Sequence, residues 1–505
     1  MQRLMLMHSI RVPGSSTLSN QFRYRVSGPL DVDRFERAWQ RALDRHPALR
    51  TAFVWEGVDE PLQVVRSRAR MTVEHVDLGG HDAADRAAEL AHVEQADREQ
   101  GFDLTRAPLM RLTVVSLSDE QHVLLWSRHH LILDLWSVEL LFDEVLRHYG
   151  GRQQAVGNAV GFRDYIQWLG QQDATAAEAH YQRVLAGLSA PSLLFGDRAR
   201  RSEWFRDGQP VAERILAAEC VAAIAEFARS RGLTFGSVVQ GAVGLMIAER
   251  LRRADVVYGL TVAGRPSDLD SVASILGTFI NDVPVRAQID RSQRIIDWLV
   301  ELQIAHSKRQ PFEYLSPIDI HRCSGLPAER PLFDLLLLLQ SPGATTRPTD
   351  GSLTLDPIRG PFDSALPMTL AVEHEGAEVR LTAVYDESLV SGDVAEGILR
   401  QLEDWLRRIC ARPDATLGDL LPEFDAAEPA RPSPAPAAVA QDSAGVADTL
   451  LDIWRRTLGI ADVGLDDDFF ALGGTSIQAA IAFTEIERRL GRDLPLSILF
   501  AAGNV

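Results

Sequence analysis

Cysteine is almost missing from this chain: Cys220, Cys323 and Cys410 are the only three in 505 residues, and they are widely spaced. One of three must stay unpaired, so a disulfide framework is excluded and a reducing, cytoplasmic setting is expected. Basic charge is short as well, with 52 Lys and Arg against 70 Asp and Glu and a formal net charge of -18. That balance leaves no basic face able to neutralise phosphates, which excludes nucleic acid and an anionic membrane surface as partners. Long apolar runs are also lacking. The longest, Leu332 to Leu339, is broken by Asp334 and is far too short to span a bilayer, so it reads as a buried strand. The opening residues Met1 to Met7 carry no continuous hydrophobic core followed by a small-residue cleavage site, so no secretory signal is expected.

Core-forming material is ample, with 46% hydrophobic and 24% charged residues. A chain of 505 residues exceeds one ordinary core and divides into about two to four folding units. Strand and helix patterns alternate, which predicts a mixed α/β class. Asn20 to Val26 has period two, and Phe35, Ala38, Trp39, Ala42 and Leu43 then form one helical stripe beginning near Asp33. His122 to Ser127 reads as a buried strand running into His129 and His130, with Ser137 capping the helix that follows. Further helices are expected near 221–231, 238–252 and 394–408, and strands at 255–262, 333–340, 368–373 and 379–385. A proline- and alanine-rich strip around Glu428 to Ala437 has no hydrophobic period and reads as an extended linker. Beyond it, Leu450, Leu451, Trp454 and Leu458 share a helical stripe, and a second helix is expected from Ser476 with Ile477 and Ile481 inward, giving a small bundle.

Two segments could carry chemistry. The first is His129-His130-Leu131-Ile132-Leu133-Asp134, on a strand-to-helix turn. A neutral imidazole near its reference pKa of about 6.5 can take a proton from an attacking amine, while the aspartate fixes the turn. On the motif alone, a histidine pair that merely satisfies backbone groups stands level with a catalytic pair. The second is Leu472-Gly473-Gly474-Thr475-Ser476. Two glycines permit a tight turn and Ser476 then opens a helix, where the positive end of the peptide dipoles suits a phosphodiester; an ordinary capping serine is the competing reading.

The wider pattern resembles the condensation domains of nonribosomal peptide synthetases. It runs through Arg45-His46-Pro47-Ala48-Leu49-Arg50-Thr51, Phe102-Asp103-Leu104, the histidine motif, Val262-Ala263-Gly264-Arg265, Gly277 with Phe279, Asn281, Pro284 and Arg286, and Pro331-Leu332-Phe333. Asp468-Phe469-Phe470, the glycine-serine segment and Leu499-Phe500 resemble a peptidyl carrier domain, with Thr475 where His or Asp is more usual.

This resemblance implies an α/β fold of two chloramphenicol-acetyltransferase-like lobes forming a V, at 1–165 and 166–421. A linker at 422–443 and a helical carrier at 444–505, cut short at its last helix, would follow. It implies His130 as the catalytic residue, His129 and Asp134 as structural, Arg265 as the partner of Asp134, and Ser137 and Asn281 as neighbours of the site or its tunnel. It also implies 4'-phosphopantetheine on Ser476, amide formation from an upstream donor carrier, an adenylation domain acting from elsewhere, and a phosphopantetheinyl transferase. One position departs from the pattern: Leu135 stands where the family has glycine, which would remove either a positive φ or room for the thioester. A silent docking platform and an ester-forming enzyme are the alternatives that the resemblance leaves open.

Overall fold

The computed structural model describes residues 2–11, 18–55, 58, 61–151, 161–196, 209–327, 330–340, 353–358, 366–423 and 443–458, with scattered positions from 460 to 490. Residues 424–442 of the linker and Ser476, Ile477 and Ile481 lie outside the described residues, while 479, 482, 483, 485, 486, 489 and 490 of the expected second carrier helix are helical.

The first half runs α1 (Gln2–Arg11), β1 (Ser19–Ser27), α2 (Val32–Arg45), β2 (Thr51–Val54), β3 (Leu62–Val65), β4 (Val73–Asp77), α3 (Ala83–Glu99), β5 (Met110–Ser116), β6 (Gln121–His129), α4 (Leu135–Tyr149) and α5 (Phe162–Leu169). The stripe expected on α2 is its buried face: Phe35, Ala38, Trp39, Ala42 and Leu43 are all enclosed. Asp31 caps the helix by accepting from the Arg34 amide at 2.9 Å, and Pro47 helps to end it just past His46. Trp39 meets Phe142 edge to face at 5.3 Å and Trp126 at 5.7 Å, so α2, α4 and β6 share one aromatic core.

The second half contributes α6 (Ala174–Leu185), β7 (Val211–Ile215), α7 (Ala218–Ser230), α8 (Phe235–Leu251), β8 (Asp255–Val262), β9 (Asn281–Gln288), α9 (Ile295–Arg309), α10 (Pro317–Arg322), β10 (Leu335–Gln340), β11 (Thr354–Ile358), β12 (Met368–Glu375), β13 (Glu378–Tyr385), α11 (Gly392–Ala411) and α12 (Leu417–Leu420). Six strands form one sheet in the order β7-β13-β12-β10-β8-β9. β10 lies parallel to both neighbours, which explains its unbroken leucine run. Asp334, the break in that run, is buried; its two oxygens accept the amides of Leu194 and Phe195 at 2.9 and 2.8 Å, and burial pushes its carboxyl up to about 6.

The other large sheet is ordered β11-β1-β6-β5-β4, so one strand crosses from the later half of the chain. β11 pairs antiparallel with β1, an arrangement the sequence pattern had not disclosed: Thr354 to Ile358 carries a proline and a charge and suits an edge. Among the described residues no single helix is long and apolar enough to cross a membrane, and the most apolar, α8, is enclosed in the second core. The three cysteines are unpaired.

Past the linker, α13 (Ser443–Leu458) presents Trp454 to Phe469 edge to face at 4.9 Å. Ile453, Val463, Ala479, Phe483 and Ile486 complete a separate small apolar core.

Candidate active site

β6 delivers both histidines to the turn that opens α4, and their surroundings differ. His129 is buried and bonded on both ring nitrogens. Its Nδ1 accepts the Leu131 amide at 3.2 Å, which makes Nε2 the protonated nitrogen, facing Ser9 Oγ at 3.2 Å. The Ser9 hydroxyl in turn donates to the Met5 carbonyl at 2.9 Å. His129 is therefore committed to holding α1 and the turn. His130 is only partly buried; its backbone is tied by Leu18 and Thr278, while its Nδ1 is enclosed with no hydrogen-bond partner among the described residues. Burial, then the nearby Arg128 guanidinium, push its imidazole down to about 4, so the ring is neutral at ordinary pH.

Asp134 is fully buried and is the true cap of α4. The sequence reading gave that role to Ser137, which instead lies inside the first turn and receives the cap: its amide donates to Asp134 Oδ1 at 2.8 Å. The cap falls to Asp134 because its carboxylate also reaches across to other chain segments. Its Oδ2 accepts the Phe279 amide at 3.1 Å, and Arg265 Nη2 stands 3.3 and 3.4 Å from its two oxygens. Arg265 donates further to Ser137 Oγ at 2.9 Å and to the Val272 and Ile275 carbonyls at 2.6 and 2.9 Å, and its guanidinium lies 4.0 Å over the Phe279 ring. Ser137 completes the knot by donating to the Gly277 carbonyl at 2.9 Å and accepting the Gly277 amide at 3.0 Å. The loop between β8 and β9 is thus locked onto the start of α4. Gly277 is required there, because a Cβ would fall 2.0 Å from the Phe162 ring.

Leu135 is the first residue of α4 and is not among the residues with positive φ, so the conformational demand for glycine does not arise. Its side chain is 39% exposed beside Trp136, whose Nε1 donates to the Ala273 carbonyl at 3.0 Å. Asn281 faces away from the turn: its amide nitrogen donates to the Glu313 and Leu315 carbonyls at 2.8 and 2.7 Å.

Sequence reasoning missed Arg128 and Thr278. Arg128 is enclosed, donates through Nη1 to the Leu133 carbonyl at 2.5 Å, and lies over the Phe22 ring; burial lowers its guanidinium to about 10. A lone cation inside an apolar strand was its available signal. Thr278 Oγ1 donates to the His130 carbonyl at 2.8 Å, a contact no local pattern announces.

A condensation-domain family model matches residues 1–428. The chain belongs to the condensation-domain family. A phosphopantetheine attachment site model matches residues 448–505, so a carrier domain follows the condensation domain. One linear gramicidin synthase polypeptide of Brevibacillus parabrevis is 35% identical over 68% of this chain and 4% of its own length. A second polypeptide of the same synthase is 32% identical over 83% of this chain and 8% of its own length, and chondramide synthase cmdD of Chondromyces crocatus is 31% identical over 82% and 11%. The chain therefore spans only a small part of these relatives. Among solved structures, the X-domain from teicoplanin biosynthesis superposes with a TM-score of 0.69 at 22% identity, covering 83% of this chain and 96% of that one. A four-domain nonribosomal peptide synthetase, holo-AB3403, superposes at 0.69 and 17% identity, covering 96% of this chain and 40% of that one. At these identities the superpositions speak for the fold.

Proposed function

We propose that this condensation domain joins two carrier-tethered substrates by an amide bond, with His130 as the catalytic residue and Ser476 as the attachment point for the acceptor. The observation that carries this reading is the division of labour on one turn: His129, Asp134 and Ser137 are spent on hydrogen bonds, while His130 keeps a neutral, partly exposed ring that no hydrogen bond among the described residues claims. Phosphopantetheine on the carrier supplies a thiol that holds the acyl group as an activated thioester. The apolar core around Trp454 and Phe469 fits such a carrier, and Ser476 itself lies outside the described residues.

In the proposed step the acceptor nitrogen bonds to the donor carbonyl carbon, the carbon–sulfur bond breaks, the nitrogen loses a proton to solvent and the departing thiolate gains one. A ring whose proton affinity is held near pKa 4 is a weak base, which suits His130 to accepting a hydrogen bond from the amine and aiming it. This revises the expected pKa near 6.5, because burial and Arg128 both oppose a charged ring. Asp134 and Arg265 keep the turn at a fixed distance from the loop between β8 and β9. Leu135, exposed at the start of α4, is assigned to shaping the substrate path.

The reading further assigns an upstream donor carrier, an adenylation domain that loads the acceptor from elsewhere, a phosphopantetheinyl transferase, and a cytoplasmic setting. It also keeps the lobes at 1–165 and 166–421, with β11 lent to the first sheet. The presence of His130, Asp134 and Arg265 together speaks against a silent docking platform. Intact-protein mass spectrometry tests the proposal: the phosphopantetheinylated, aminoacylated chain is mixed with an acylated donor carrier. Gain of the acyl mass on the chain, with the donor acyl group still joined to the acceptor nitrogen in the product that hydroxylamine releases from the thioester, supports it. A loaded chain that never gains that mass across a broad donor panel, or a product cleaved as an ester, overturns it.

A further inference from the structure

β6 sends its side chains to alternate faces, and its pairing with β1 continues one residue past its end, since the His130 amide donates to the Leu18 carbonyl at 2.8 Å. Ser127 and His129 face one way: Ser127 donates to Asp97 of α3, and His129 meets the Phe102 ring edge to face at 6.3 Å. Trp126 and Arg128 face the other way, toward Phe22. Alternation puts His130 on their side, about 7 Å along the strand from Arg128.

Arg128 is 2% exposed, yet among the described residues no carboxylate pairs with it. Its guanidinium lies 5.3 Å from the centre of the Phe22 ring and 5.9 Å from that of Trp126. Among the described residues its only side-chain hydrogen bond runs from Nη1 to the Leu133 carbonyl at 2.5 Å. That bond ties the strand to the residue before Asp134 and so closes the 129–134 turn from behind. Two titratable groups act on Arg128 besides: Asp134 at the start of α4, and the Tyr24 hydroxyl on β1, which burial keeps in its neutral form. Glu139 of α4 is exposed and bears on Tyr24. From the loop between β8 and β9, Thr278 reaches the His130 carbonyl and Arg265 takes up Asp134 at 3.3 Å. Two buried guanidiniums thus share one carboxylate, which leaves a positive charge in excess beneath the turn, on the side of His130. A buried cation without its own counter-ion is costly, and a neutral donor would serve the Leu133 carbonyl as well, so the brace by itself does not call for arginine.

We propose that Arg128 is a positioning residue for amide formation: from behind the turn it fixes the Leu133 carbonyl and sets a permanent positive charge under His130, so that the ring meets the amine only as a neutral hydrogen-bond acceptor. An imidazolium has no lone pair for the amine and would repel the positive charge that the nitrogen gains as it attacks. Arg128 acts through His130 and not on the reacting atoms. The proposal rests on the condensation reading, with His130 as the group that aims the amine.

The full chain is prepared with isotope-labelled histidine, and the His130 imidazole, assigned by its loss in His130→Phe, is followed by NMR as pH is lowered. In the wild type it takes up its proton at about pH 4. In Arg128→Gln, which keeps a donor for the Leu133 carbonyl and loses the charge, it does so at least about one pH unit higher; in Arg128→Lys, which keeps the charge, it stays within about half a pH unit of the wild type. Single-turnover amide formation is measured on the same chains. The ratio of the Arg128→Gln rate to the wild-type rate, in which the amine's own ionisation cancels, falls about threefold or more between about pH 7 and about pH 4.5, whereas the Arg128→Lys ratio stays flat. An imidazole that titrates alike in Arg128→Gln and the wild type, a rate loss uniform across pH, or an Arg128→Lys profile that moves with that of Arg128→Gln overturns the proposal. Should Arg128→Gln not fold, Arg128→Lys decides: a flat ratio supports the proposal and a moving one overturns it. Amide formed by Arg128→Gln with the wild-type pH dependence contradicts the proposal alone. No amide from any of the chains contradicts the condensation reading, and the NMR titration still decides what Arg128 does to His130.

Discussion

The two sides of the 129–137 turn are built to opposite standards. On one side His129, Asp134 and Ser137 have their polar atoms matched to Leu131, Ser9, Phe279, Arg265 and Gly277. On the other, His130 keeps an unpartnered Nδ1 and Leu135 and Trp136 are exposed. Buried polar groups in folded proteins are almost always bonded, so the contrast between the two histidines is what the proposed role of His130 draws on. The two neighbouring histidines thus differ in their bonds, which their order in the chain does not tell: His129 holds the turn, and His130 is the one proposed for the chemistry.

Four substitutions break or sharpen that contrast. His130→Ala is expected to cost about 10²-fold or more in amide formation with little change in melting temperature, because among the described residues no side chain is hydrogen-bonded to its ring. Asp134→Ala is expected to act the other way round. It strands Arg265 and the Phe279 and Ser137 amides and should destabilise the chain by about 3–5 kcal/mol in denaturant titration, with Asp134→Ala/Arg265→Met less affected than the single change. Gly277→Ala, with its Cβ driven into Phe162, should cost about 1–3 kcal/mol, and Phe162→Leu should recover part of it. Leu135→Gly should cost under about 1 kcal/mol, since the residue sits exposed at a helix start, and should alter which substrates are joined.

Acid titration sharpens the contrast further. The folded imidazole of His130 is pushed down to about 4, below its ordinary value of about 6.5 in an unfolded chain. As pH falls between those values the unfolded chain takes up the proton first, so the wild type loses stability across that window. His130→Phe removes this contribution and should show a shallower loss from about pH 6.5 to about pH 4 in chemical denaturation.

Much of the scaffold was legible because it rests on local periodicity. The α2 stripe and the β8 strand at Asp255–Val262 stand as read, and the leucine run became β10. What escaped is non-local. Ser137 has a fine capping side chain, yet the cap went to Asp134 because Phe279 and Arg265, far along the chain, reward a carboxylate there. β11 has a weak strand pattern and is made by pairing with β1. Arg128 and Thr278 matter through contacts with Leu133 and His130 that no spacing rule contains. The readings at Ser476, Ile477 and Ile481 lie outside the described residues.

The most direct test of the account is a single-turnover comparison of amide formation by wild type, His130→Ala and His129→Phe, each with its melting temperature measured. The account predicts that His130→Ala loses the reaction while melting like the wild type, and that His129→Phe melts lower. Wild-type rates in a folded His130→Ala variant would contradict it.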